Sequence, residues 1–189
     1  KYEEITCKSN PSYALCFVGT AHSDRYRVTK DIEKQLCKFN LRMNIFFYLP
    51  NRIIYWFRKV FVRSYKYGNI DDFSFRSLSQ EDVISLFQDS TAVLDINHPL
   101  QFGLTSRSIE ALGAKRKLIT TNANIKNYDF YNKNNILIID RNRPEIDVDF
   151  FNTEYIQPDE KIYKKYSLRN WLLSIFVFQQ EVGDILESN

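Results

Sequence analysis

The chain has 189 residues, of which 44% are hydrophobic, 26% charged and 15% aromatic, with five glycines and a net charge of +3. That length supports a full core without metal or disulfide staples, and so little glycine excludes collagen-like, linker-like and low-complexity chains. The slight basic excess falls far short of the stripe of a dedicated nucleic-acid binder, so no nucleic-acid partner is expected.

In chain order, Lys1-Tyr2-Glu3 opens a sequence whose sole methionine is Met43, which reads as a piece cut from a longer protein. Cys7, Cys16 and Cys37 are odd in number and lack Cys-x-x-Cys spacing. This argues against zinc and against a disulfide framework, and for a reducing, cytoplasmic setting. No apolar run is long enough to span a bilayer, and no signal peptide is expected. Tyr13–Val18 is a short continuous apolar run ending at Gly19, the pattern of a buried strand. A polar loop follows through Thr20, His22, Ser23 and Arg25, with Ser23 or Asp24 as the expected helix cap. Val28, Ile32 and Leu36 then mark a helix reaching Phe39. Met43–Tyr48 is the second strand, closed by Pro50, and Arg52–Arg63 forms an apolar and basic helix.

Phe73–Phe75 is a short strand, and Ser79 with Asp82 forms a capping box opening a helix whose stripe is Val83, Leu86 and Phe87. Thr91–Ile96 is a strand, and a helix from about Thr105 ends at Gly113, a natural left-handed cap. On that helix Ile109 and Leu112 take the buried side. Lys117–Thr121 and Ile136–Asp140 are further strands, separated by a short helical segment near Asn124–Tyr131. A final helix spans about 159–178, with Trp171, Leu172, Ile175 and Phe176 apolar and Tyr163–Tyr166 as solvated surface.

Alternation of continuous apolar strands with helices predicts one α/β, Rossmann-like domain over residues 1–189: a three-layer sandwich with a mostly parallel sheet. Ligands on such sheets bind beyond the carboxyl ends of the strands, at the switch point. The loops after the first strand and after Thr91–Ile96 therefore become the candidate site. Both histidines, His22 and His98, fall in these loops, as do Gly19 and Gly103. Glycines this scarce are expected where the backbone needs them; Gly68 and Gly183 take no assigned role.

The first loop offers Gly19, Thr20, His22 and Arg25 before a helix N-terminus. This is either a phosphate cradle or an ordinary polar connection. It has neither the dinucleotide glycine fingerprint nor the Gly-Lys-Ser/Thr of a P-loop, and Gly19-Thr20-Ala21 lacks the acidic pair of a phosphoacceptor. In the second loop and its helix, Arg107 and Glu110 share one face. They form either an exposed ion pair or a pair in which Glu110 receives ribose hydroxyls and Arg107 neutralises a pyrophosphate. Arg52–Arg63 is expected to pack its apolar side on the sheet, an anionic membrane surface being the other reading.

The order Phe73–Ser79, Glu81–Phe87, Ala92-Val-Leu-Asp95, Gln101-Phe-Gly-Leu104, Ile109-Glu-Ala-Leu-Gly113 and Lys117–Thr121 resembles the C-terminal, donor-binding domain of GT-B fold glycosyltransferases. The resemblance is closest to those of bacterial capsule, exopolysaccharide and lipopolysaccharide synthesis. It spans roughly Tyr13 to Phe178 and is most specific over Asp95–Thr121. It implies a nucleotide-sugar donor held by Glu110, Arg107, His98, Thr105, Gly103, Gly19, Thr20, His22 and Arg25, with Glu110 on the ribose and the first loop near the phosphates. It further implies no cofactor or metal, a glycan or lipid-linked acceptor, and a second, N-terminal domain beyond this chain that would carry any catalytic base. The fragment alone would then turn over poorly. Location at the inner face of a membrane would suit such an acceptor. Many retaining members carry a pair of glutamates, the first ahead of Gly-Phe-Gly. Here Gln101 stands nearest the first and only Gly103 remains, which leaves the stereochemistry open. A non-catalytic, flavodoxin-like binding module is the alternative.

Overall fold

The computed structural model describes residues 2, 5–6, 8–62, 65, 68–170 and 172–173. Two compact units divide the chain, Lys1–Ile156 and Gln157–Asn189. The first unit holds a six-stranded sheet, β1 (Tyr13–Thr20), β2 (Met43–Tyr48), β3 (Phe73–Ser74), β4 (Ser90–Asp95), β5 (Lys117–Thr120) and β6 (Ile136–Ile138). Their order is β3-β2-β1-β4-β5-β6, and every pairing is parallel. The helices are α1 (Arg25–Cys37), α2 (Arg52–Phe61), α3 (Gln80–Gln88) and α4 (Ser106–Gly113). The α/β, Rossmann-like class expected from the alternation is the fold observed.

Strand alternation divides the core between the two sheet faces. Leu15 and Phe17 of β1, Phe47 of β2, Ala92 and Leu94 of β4 and Ile119 of β5 form one apolar cluster with Val28, Ile32 and Leu36 of α1. Cys16, Val93 and Leu118 are also buried, and their positions in the strands alternate with those residues, pointing to the other face. There burial pushes the Cys16 thiol up to about 11, so it is a packing group rather than a nucleophile. The first residue of β5, Lys117, is buried among oxygens: its ammonium donates to the Phe150 carbonyl at 2.6 Å and the Thr153 hydroxyl at 2.8 Å. This pins the segment after β6 to the sheet.

Several local expectations need correction. Gly113 is the last helical residue of α4 and Ala114 its right-handed cap. The left-handed residue is Lys115, at φ 52°. Around it Arg116 N–H donates to Ala111 O at 2.9 Å and Lys115 N–H to Leu112 O at 3.0 Å, the two bonds of a Schellman stop. Gly113 is instead favoured by packing, since a Cβ there would crowd Tyr2 Cβ at 3.2 Å. α1 stops the same way around Asn40, at φ 57°. Among the described residues no glycine has a positive φ. Gly183 lies outside them, as do Cys7 and Arg63.

The capping box of Ser79 and Asp82 is present. On α3, however, only Phe87 is fully buried, Val83 and Leu86 being half-covered. On α4 the buried residues are Ser108, Ala111 and Leu112, with Ile109 half-buried, because Ser108 turns in to a strand carboxylate. Between β5 and β6 the helical segment is a short 3-10 turn over Ala123–Asn127. The largest departure is α2: only Tyr55 is buried, and its main apolar stripe faces solvent rather than the sheet.

In the second unit, α5 (Glu160–Lys165) opens at Asp159, whose carboxylate accepts from Lys161 N–H at 2.8 Å. A turn at Tyr166–Ser167 interrupts the expected continuous helix before helical residues 168–170. Leu172 is exposed, while Trp171, Ile175 and Phe176 lie outside the described residues.

Candidate functional site

The sheet order reverses between β1 and β4, so the loops leaving their carboxyl ends diverge at the switch point, the place where such sheets hold a ligand crevice. Arg25, the first residue of α1, spans it. Its Nε donates to Ile96 O at 2.7 Å and its Nη1 to Thr20 O at 3.3 Å. The two loops identified from sequence are thereby joined, and the His22 and His98 rings stand 5.8 Å apart. Ala21 is fixed from both sides, its N–H donating to Tyr48 O at 3.0 Å and its carbonyl accepting from Arg58 of α2.

His22 is held well below the ordinary imidazole value, at about 4, first by burial and then by the nearby Arg25, His98 and Arg58 side chains. At neutral pH it is a neutral ring whose Nδ1 lies 3.2 Å from the Ser23 hydroxyl. Ser23 is the left-handed residue of this loop, at φ 52°, and Asp24 takes the N-cap position without a side-chain cap bond. The expected hydroxyl or carboxylate cap is therefore absent, because Asp24 is drawn to Arg141 at 3.2 Å and Arg27 at 3.5 Å. His98 accepts from Leu100 N–H at its Nδ1, 3.2 Å.

The second loop is stiffened from within. Asn97 Nδ2 donates to Gln101 O at 2.9 Å, Asn122 Nδ2 to Gly103 O at 3.0 Å and Asn124 Nδ2 to Phe102 O at 3.3 Å. Gln101 itself is turned to Leu104 O. A Cβ on Gly103 would meet nothing within 4 Å, so open space lies above that backbone, next to an exposed Phe102. Gly19 differs: a Cβ there would press on the Phe17 ring at 3.1 Å, so packing favours glycine.

Asp95, the last residue of β4, is the buried acid behind this loop. Its Oδ2 accepts from the Thr105 hydroxyl at 2.7 Å and the Ser108 hydroxyl at 2.8 Å, and burial raises its carboxyl above the ordinary value against those bonds. Thr105 also caps α4, accepting from Ser108 N–H at 3.2 Å. Its hydroxyl is thus committed inward, between Asp95 and the first turn of α4.

Arg107 and Glu110 meet at 2.6 Å and are partly covered. The guanidinium lies 5.4 Å from the Phe87 ring centroid, and the carboxylate also accepts from the Tyr2 hydroxyl. Burial raises the Glu110 carboxyl. The pair is thus on the face of α4 shared with Phe87 and Tyr2, whereas the histidines and Arg25 line the crevice between the loops.

Arg141 was not foreseen. It follows β6, and its guanidinium reaches three other segments: Asp24 after β1, the Asn97 carbonyl and, at 3.1 Å, Asn97 Oδ1 after β4, and the Thr121 hydroxyl at 3.2 Å after β5. Its own carbonyl accepts from Arg27 at 2.8 Å. The available signal was its position, one residue past an apolar strand run in a parallel sheet. Arg58, on the helix expected to lay its apolar side on the sheet, is the other contributor, through its bond to Ala21 O. Arg25, Arg58 and Arg141 give the crevice a cationic floor, with Asp24 and Asp95 as its acids. Guanidinium groups, uncapped backbone amides and two imidazoles brought together here suit an anion with hydrogen-bonding hydroxyls. Among the described residues, no three His, Cys, Asp or Glu side chains come together as a metal-binding group.

Neither a protein-family model nor a curated protein matches the sequence. Among solved structures, the chain is similar to the C-terminal domain of a Glycosyl Transferase Group 1 Family Protein (LpcC) from Francisella tularensis, at a TM-score of 0.44 and 16% identity, covering 89% of this chain and 87% of that one.

Proposed function

We propose that the chain is the donor-binding half of a metal-independent glycosyltransferase, which moves a sugar from a nucleoside-diphosphate donor to a glycan or lipid-linked acceptor in surface polysaccharide synthesis. The observation that carries this reading is the junction of the two loops at the switch point, where Arg25 ties Thr20 to Ile96 and brings His22 beside His98. The diphosphate occupies this crevice, facing the α1 and α4 N-termini and the floor cations. These stabilise charge developing on the leaving group, the usual role of preorganised dipoles and cations. The open space over Gly103 admits the donor, and Glu110, already an acceptor for the Tyr2 hydroxyl, accepts from the ribose in its place. The acceptor and any general base belong to an N-terminal domain facing the same crevice.

Thermal shift of the 189-residue chain with UDP, GDP, ADP, dTDP and CMP tests this. Stabilisation by one nucleotide, lost in Glu110→Ala and in Arg107→Ala, supports it. No response to any nucleotide turns the reading towards a binding module without transfer chemistry. Robust sugar transfer by this chain alone would contradict its assignment as a half-enzyme.

A further inference from the structure

α2 is inverted relative to an ordinary surface helix. Its cations Arg58 and Lys59 turn inward: Arg58 donates to Ala21 O and, at 3.0 Å, to the Tyr65 hydroxyl, and Lys59 donates to the Tyr55 hydroxyl at 3.0 Å and Gly68 O at 3.1 Å. Its apolar side chains turn outward, with Ile53 79%, Trp56 58%, Phe57 61%, Val60 73% and Phe61 71% exposed. These five fall at i, i+3, i+4, i+7 and i+8, one continuous stripe along the helix. A stripe with three large aromatics left in water marks an interaction surface.

The charge around the stripe identifies what covers it. Along the sequence, six basic residues and two acidic ones lie from Arg52 to Arg76; Arg58 and Lys59 are turned inward, Arg63 and Lys66 lie outside the described residues, and Arg52 and Arg76 are the exposed cations. No acidic residue occurs from Arg52 to Ile70. Arg52 is exposed at the start of the helix with its guanidinium 5.6 Å from the Phe75 ring centroid, and Arg76, next to Phe75 in the sequence, is exposed too. A second copy of the chain is a poor partner, because a two-fold contact would set these like charges against each other.

We propose that α2 seats this protein on an anionic lipid bilayer, lying in the interfacial plane. Trp56, Phe57 and Phe61 enter the headgroup–acyl boundary, and Arg52 and Arg76 meet lipid phosphates. Apolar area and electrostatic attraction together set the strength of such binding. Because Arg58 also holds the Ala21 carbonyl, the seated helix is attached directly to the loop that lines the crevice. The inference does not depend on what the crevice binds.

Flotation of the 189-residue chain with phosphatidylglycerol–phosphatidylcholine vesicles, against phosphatidylcholine alone and without nucleotide, is the test. Binding to the anionic vesicles, weakening with salt and accompanied by a blue shift of tryptophan emission that Trp56→Phe abolishes, is expected. Arg52→Glu and Arg76→Glu should each lower partitioning about fivefold, since a basic residue at such a surface is worth roughly that factor. Trp56→Ser with Phe57→Ser should lower it at least about tenfold. Ile53→Gln with Val60→Gln repeats the test on the same stripe, and circular dichroism should show every variant folded. Equal binding to both vesicle types, absence of binding, or a dimer that the same variants dissolve in light scattering would each overturn the proposal.

Discussion

The guanidinium of Arg25 reaches the main-chain carbonyl of Ile96 at 2.7 Å, across 71 residues of sequence, and fastens the loop after β1 to the loop after β4. Each loop is polar and short of internal ladder bonds, so the pair needs such a tie to hold a fixed crevice. The donor is charged and the acceptor is a carbonyl beside a buried residue, which places this bond among the stronger kind.

Replacing Arg25 with alanine should lower stability by about 2 kcal/mol, the usual range for a charge-assisted bond lost from a partly buried acceptor. For a chain of this size that corresponds to a melting temperature lower by roughly 4–8 °C. Lysine should recover only part of this, since an ammonium cannot reach both Ile96 and Thr20 in a planar fork. Calorimetry of the three proteins decides it, and an unchanged transition in Arg25→Ala would show that the loops are held by other means.

Asp95 gives a contrast between two substitutions. Alanine removes the acceptor shared by the Thr105 and Ser108 hydroxyls, leaves buried donors unmatched and should cost about 2–3 kcal/mol. Asparagine keeps an oxygen in place and removes a carboxylate that burial already disfavours. It should therefore stay within about 1 kcal/mol of the parent. Chemical denaturation at neutral pH separates the two, and equal losses in both would mean that the negative charge itself is required.

His22 makes stability depend on pH in a defined direction. Its folded value, about 4, lies below the ordinary 6.5, so between these values the unfolded chain binds more protons. Stability is then full above about pH 6.5 and declines as pH falls towards 4. His22→Gln should flatten this part of the profile, as followed by thermal melts from pH 7 to 4. A variant with the parent's slope would assign the acid sensitivity elsewhere. Asp89 adds a loss at lower pH: the Ser12 backbone N–H and then Lys8 hold it at about 2, so its contribution disappears as pH drops from 3.8 towards that value.

Arg141 joins three loops and, on the reading proposed here, faces the donor phosphates. Arg141→Ala should reduce nucleoside-diphosphate affinity about tenfold, near the worth of one charge-assisted contact, and lower the melting temperature by a few degrees. Arg141→Lys should keep more of the stability than of the affinity. Titration calorimetry against the nucleotide that gives the largest thermal shift provides the measurement, and unchanged affinity in Arg141→Ala would remove this residue from the site.

The sheet was legible because Tyr13–Val18 and Ile136–Ile139 are continuous apolar runs and Ala92–Leu94 and Leu118–Ile119 shorter ones, which only a sheet covered on both faces buries. The stripe Val28, Ile32, Leu36 located α1 for the same reason. The cap of α3 was legible because Ser79 and Asp82 satisfy each other locally. The stop of α4 was not: glycine marks a left-handed turn statistically, whereas here Lys115 takes the turn and Gly113 makes room for Tyr2. The direction of α2 was also hidden. Its pattern is amphipathic either way round, and which side turns inward depends on carbonyls and hydroxyls that Arg58 and Lys59 find elsewhere in the chain.

The sequence by itself determined the class of fold and the two loops at the switch point, because hydrophobic periodicity and the placement of turns are written locally. It also brought forward His22, His98 and Arg25 as residues of those loops. Only the tertiary structure decided that Arg25 joins the loops, that Arg141 and Arg58 bond to those same loops, that Asp95 binds the first turn of α4, and that α2 shows its apolar side to solvent. Each of these rests on a bond or contact between segments distant in sequence, and spacing along a chain carries no information about which distant carbonyl a guanidinium will reach.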